Sequence, residues 1–192
     1  MRHRSLVCVL MITLCLGSCA RTEVADTTAQ IADFYAGLEH AVMQVTMKAD
    51  FGDRAIPFVL QYAFVRDGDS TVEILAPEEV RGVKAVIAAG QSRLTYEDLI
   101  LETGPLSGAG LTPVEALPAM LNAWQSAYVS SAGQEKLDDS PCIHVVYKST
   151  VSGVEIQQDA WFAADSFKPL KAETLAGGIR VIECVFDTVT FE

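Results

Sequence analysis

Any chemistry in this chain must come from a small set of side chains. The tightest pairing is Cys142-Ile143-His144, an i, i+2 spacing that a strand would place on one face. A Cys-x-His pair is only half of a zinc site, and no second pair of ligands lies near it in sequence. No metal and no other cofactor is expected. His3 belongs to the first residues, and the helical periodicity before His40 puts that residue near a helix C-terminus, where a cation complements the macrodipole. The adjacent carboxylates Glu78-Glu79, Glu97-Asp98 and Asp138-Asp139 fall among turn residues and read as solvated charge rather than an acid–base pair. Gly104, Gly108 and Gly110 surround prolines and follow neither phosphate-binding pattern. No Gly-x-Ser-x-Gly elbow is present. No catalytic residue is assigned, and no enzymatic activity is expected.

One cysteine has a clearer chemical fate. Arg2 and Arg4 open the chain, an apolar run from Leu6 to Leu16 follows, and Leu16-Gly17-Ser18-Cys19 closes it. That is the n-region, h-region and small-residue end of an export signal, and the run falls short of the ~20 apolar residues of a spanning helix. The Leu-small-small-Cys ending resembles the bacterial lipobox. That resemblance implies cleavage between Ser18 and Cys19 and acyl chains, palmitate among them, on Cys19. Residues 1–18 are then a discarded signal peptide. Removing 18 of 192 residues leaves 174, and losing Arg2 and Arg4 takes the formal charge from −11 to −13. A body this acidic does not suit nucleic acid, where Lys and Arg supply the affinity. It is also repelled by anionic lipid, so membrane residence rests on acyl chains. The expected location is the extracytoplasmic face of the cell membrane, or the outer membrane if the organism has one.

Cys8 and Cys15 leave with the signal, so Cys142 and Cys184 are the remaining thiols. Export suggests a disulfide, but topology argues against it. If the last four strands form a meander, these two lie three strands apart, about 14 Å at ~4.8 Å per strand, beyond disulfide reach. Their parities also differ. Both are expected to be free.

The elements that position these residues follow from periodicity. Residues 19–28 are the lipidated cysteine and a polar tether, and one domain fills 29–192. Ile31, Phe34, Tyr35, Leu38 and Val42 recur at helical spacing. Met43 to Phe51 alternates strictly and reads as a half-buried strand. IPFVLQYAFV follows as a strand apolar on both faces, with Arg66 to Asp69 as a hairpin turn. Strands STVEILA, VKAVIAAG, SRLTY and LILET complete the first meander. Thr112-Pro113-Val114-Glu115 predicts a helix start, and Leu117, Met120, Leu121, Trp124 and Tyr128 mark its apolar face, with Pro118 kinking or restarting it. CIHVVYKS, VEIQQDAWFAA, LKAETLA and IRVIECVFDTVTF form a second meander. The expected fold class is α+β: a single curved antiparallel sheet of nine or ten strands over an N-terminal and a mid-chain helix.

The order helix, meander, helix, meander behind a lipid signal resembles the LolA/LolB superfamily of half-open β-barrels. The stretch STVEILAPEEVRGVKAVIAAGQSRLTYEDLILETGPL with its LTPVEALP helix is similar to LolA-like lipoproteins of clostridial relatives, the GerS-type germination and lipoprotein-sorting proteins. The resemblance implies helices acting as a lid over an apolar cavity. Phe58, Leu60, Tyr62 and Phe64 on one strand face, with Met120 and Trp124 on one helix face, are the candidates for lining it. Two functions stay open from the residues. One is a membrane-anchored, non-catalytic protein binding a lipid or other apolar ligand in that cavity. The other is an envelope or germination-related protein–protein interaction lipoprotein with a filled core.

Overall fold

The computed structural model describes residues 19–88, 91–105, 109–126 and 128–191. The expected signal peptide 1–18, Ser18 included, and Gly108 lie outside the described residues. The elements are α1 (Cys19–Ala36), β1 (His40–Asp50), β2 (Ala55–Val65), β3 (Ser70–Ala76), β4 (Lys84–Ala88), β5 (Gln91–Tyr96), β6 (Leu99–Pro105), α2 (Pro113–Ser126), β7 (Val129–Leu137), β8 (Ser140–Val151), β9 (Val154–Ala163), β10 (Pro169–Ala176) and β11 (Ile179–Phe191). The strands form one open antiparallel sheet in the order β6-β5-β4-β3-β2-β1-β11-β10-β9-β8-β7. Two meanders are thus joined side by side along β1 and β11.

The alternation seen in sequence is what fixes this register. Ala41, Met43, Val45, Met47 and Ala49 of β1 are all buried, and the residues between them point outward. β1 pairs with β2 along its whole length, from His40 opposite Val65 to Asp50 opposite Ala55. A slip of one residue would turn that entire apolar row to solvent.

The two helices cover the concave face. α1 buries Ile31 and Tyr35, with Leu38 buried just beyond its end, and α2 buries Ala116, Leu117, Met120, Leu121 and Trp124. At the start of α2, the Thr112 hydroxyl donates to the Glu115 carboxylate at 3.1 Å, and the Glu115 and Ala116 N–H groups donate to the Thr112 carbonyl. Pro118 lies within the helix at the cost of one backbone hydrogen bond. Gly110, at φ +65°, lets the incoming chain press against α2, since a Cβ there would meet the Ala119 Cβ at 2.7 Å.

Several elements differ from expectation. α1 begins at Cys19, so residues 19–28, expected as a polar tether without periodicity, are helical. No Gly or Pro interrupts Cys19–Ala36, and a helix anchored by Ile31 and Tyr35 can run on without an apolar stripe. His40 and Val42 belong to β1 rather than to the helix, and Val42 is exposed on the outer face. Gly37 ends the helix before them, its N–H accepted by the Asp33 carbonyl at 2.9 Å. Tyr128 lies past the end of α2 and is exposed. Among the described residues there are eleven strands rather than nine or ten, because VSSAGQEKL forms β7. As an edge strand with no buried residue, β7 carries no alternation for a sequence reading to detect.

Candidate functional site

The expected cavity residues come together, but as packing. Phe58, Leu60 and Tyr62 of β2 and Met120 and Trp124 of α2 belong to one buried cluster, and Phe64 packs against it. Trp124 sits edge-on to Tyr35 and to Phe162, with ring centroids 5.1 Å apart in both cases, and 5.8 Å from Phe186. Tyr35 also reaches Phe162 at 5.5 Å and donates its hydroxyl to the Phe167 carbonyl at 2.7 Å. Burial holds the phenols of Tyr35, Tyr62 and Tyr147 well above the usual tyrosine range.

Described cavities lie elsewhere. One of about 170 Å³ opens beside the C-terminal half of α2, against Tyr147, Ile156 and Gln158. Another of about 340 Å³ is a dent at the ends of β8, β9 and β10, lined by Pro141, Ala163, Asp165 and Leu170 among others. Neither is lined by any of the six expected residues.

Cys142 and His144 do share the outer face, yet they form no reactive pair. The imidazole Nε2 lies 2.9 Å from the Asp159 carboxylate and its Nδ1 3.8 Å from Glu135. The His144 ring stacks on Trp161, 4.3 Å between centroids at an interplanar angle of 5°. Trp161 donates its N–H to Glu135, and Lys171 lies 5.4 Å from its ring while pairing with Glu173 and Glu183. This ladder ties β7 through β11 together across the convex surface. Cys142 is buried, donates to the Glu135 carbonyl at 3.5 Å, and has its thiol pushed up by burial and then by Glu135. That is the reverse of an activated nucleophile. Cys184 is wholly buried in the core, and burial raises its thiol further. The two cysteines are free, three strands apart, on opposite faces. Among the described residues no group of three His, Cys, Asp or Glu side chains is placed to hold a metal.

The unusual surface is at β6. α2 has 14 residues, ~21 Å of helix, and packs against α1 and β3. Its end is tied to β7 by two residues, and α1 packs against β7 as well. Cover therefore runs out toward the opposite edge. Leu99, Ile100 and Leu101 are 73%, 69% and 62% exposed, and Tyr96 at the end of β5 is 41% exposed. Register pairs Tyr96 with Leu99 and Leu94 with Leu101, so Tyr96, Leu99 and Leu101 share the concave face while Ile100 points outward. Sequence reasoning found the strand and missed its exposure. Three consecutive apolar residues look like a strand buried on both faces. The available signal was position, since the chain leaves the sheet after LILET.

No protein-family model matches the chain, and no curated protein matches its sequence. Solved structures do. A LolA superfamily protein from Nitrosomonas europaea is similar at 12% identity and a TM-score of 0.51, over 88% of this chain and 94% of that one. A domain described as an outer membrane lipoprotein-sorting protein, from Vibrio parahaemolyticus, is similar at 11% identity and 0.52, over 89% and 93%. An uncharacterized conserved protein from Thermus thermophilus is similar at 10% identity and 0.56, over 88% and 87%. The chain has a LolA-like fold.

Proposed function

Starting from a LolA-like fold whose interior is closed by its own aromatic side chains, we propose that the protein is a non-catalytic, membrane-anchored docking lipoprotein of the cell envelope. Residues 1–18 are removed on export, acyl chains on Cys19 hold it at the extracytoplasmic face, and the apolar β5–β6 edge is presented to a protein partner. The observation that carries this reading is the contrast between Trp124, 1% exposed among three aromatic neighbours, and Leu99, 73% exposed on an uncovered strand. Apolar surface concentrated in one patch marks an interaction site.

The apolar-ligand reading has one observation in its favour. Tyr96, Leu99 and Leu101 lie on the concave face, where a lipid chain would rest against them. Detergent-free native mass spectrometry of exported Cys19→Ala protein separates the two. The docking reading expects the bare polypeptide mass and release of this variant from the membrane fraction. A stoichiometric co-purified lipid would replace it with the ligand-carrier reading, and membrane retention of Cys19→Ala would remove the anchor.

A further inference from the structure

Resting on that docking reading, we propose that β6 is a strand-addition site for an extended apolar peptide segment flanked by basic residues. Among the described residues the sheet ends at β6, so one side of this seven-residue strand carries backbone N–H and C=O groups with no strand beside them. Such an edge is normally blunted by charge, proline, a bulge or a covering element. The opposite edge is: β7 carries Glu135 and Lys136, has Gly133 in its middle and a register shift between Val129 and Ser131. On β6 these devices are confined to one end. Pairing with β5 is unbroken from Leu99 to Glu102; the shift falls beyond it, at Ser92 and Arg93, and Pro105 is the last residue. Leu99, Ile100 and Leu101 therefore offer a regular, apolar, unprotected edge. Main-chain pairing supplies affinity in this mode of recognition, and alternate side chains supply specificity.

Charge selects the partner. Glu97 and Asp98 form the exposed turn before β6, and Glu102 lies within it. Tyr96 lies beside Gly82, which brings the 3-10 turn Glu78–Val80, with Glu78 and Glu79, to the same end. β6 has no basic residue, and Arg93 on β5 already faces Asp69 at 3.9 Å. A second copy is disfavoured for the same reason, since antiparallel pairing of two β6 strands would set Asp98 and Glu102 of one against those of the other. Lysines flanking an alternating apolar strand would instead meet opposite charge.

The experiment uses exported Cys19→Ala protein and three nine-residue peptides. The first alternates valine and threonine between paired lysines, the second replaces the lysines by glutamates, and the third is the first with alternate backbone nitrogens methylated. Fluorescence anisotropy should show the lysine peptide binding at least tenfold tighter than the glutamate one. Methylation should abolish binding, and hydrogen exchange should show new protection confined to residues 99–104. Ile100→Lys and Leu101→Lys, both exposed, should abolish binding with circular dichroism unchanged. Replacing Glu97, Asp98 and Glu102 together by lysine should switch preference to the glutamate peptide. Equal binding of the methylated peptide overturns strand addition while leaving apolar docking intact. Binding to none of the peptides, or to zwitterionic lipid vesicles in their place, overturns both. A dimer that Leu101→Lys dissociates overturns the assignment by making a second copy the occupant.

Discussion

Replacing Trp124 by alanine asks most directly whether α2 is packed structure or a lid over empty space. The indole is 1% exposed and lies 5.1 Å from Tyr35, 5.1 Å from Phe162 and 5.8 Å from Phe186, centroid to centroid. Truncating a buried tryptophan costs about 3–5 kcal/mol in lost transfer energy and residual cavity. Its Nε1–H has no hydrogen-bond partner among the described residues, and removing an unsatisfied buried donor returns about 1 kcal/mol or more. The net expectation is a loss of about 2–4 kcal/mol, a fall in Tm of roughly 5–15 °C for a domain of this size. Urea unfolding of Cys19→Ala protein, followed by far-ultraviolet circular dichroism, measures it, with Leu99→Ala as the exposed control at about 0.5 kcal/mol or less. A loss below about 1 kcal/mol for Trp124→Ala would refute the filled core. It would mean that α2 sits on space a ligand can occupy, and the docking reading would lose its main support.

Three further outcomes follow from the same interior. Burial raises the thiols of Cys142 and Cys184 and the phenols of Tyr35, Tyr62 and Tyr147. In the unfolded chain these thiols lose their protons near pH 8.5 while the folded protein keeps them, so stability is full below that pH and falls above it. Each thiol contributes a slope of up to about 1.4 kcal/mol per pH unit; urea midpoints between pH 7 and 10 should decline, and Cys184→Ala should flatten the decline. A thiol reagent at pH 8 should label neither cysteine until the protein is unfolded. Tyr35→Phe removes the hydroxyl that donates to the Phe167 carbonyl at 2.7 Å and should cost about 1–1.5 kcal/mol in urea unfolding; an unchanged midpoint would place that carbonyl in contact with water.

Much of the fold was legible because its determinants are local and repetitive. Alternation from Met43 onward specified β1 and its buried face, since a strand's side-chain period is two. Thr112, Pro113 and Glu115 marked the start of α2, since the orphan N–H groups there select those residue types. Leu16-Gly17-Ser18-Cys19 carries the expected lipid address in four adjacent residues. Parity and strand count were enough to separate Cys142 from Cys184.

The remainder depended on what lies across the sheet. Phe58, Leu60, Tyr62 and Trp124 read the same whether they line a cavity or fill one; only the structure gathered them into one buried cluster and set Trp124 against Tyr35, Phe162 and Phe186, distant in sequence. Val42 and Tyr128 continue an apolar stripe in sequence, yet both fall outside the helices because Gly37 and the end of α2 intervene. Leu99, Ile100 and Leu101 were legible as a strand but not as exposed, because apolar residues carry no record of what covers them. Their exposure was decided by where the helices pack, α2 lying against α1 and β3. Sequence determined which faces are apolar, because that is a property of side chains and period. Tertiary structure decided which of those faces is covered, because covering is a matter of lengths and distances between elements.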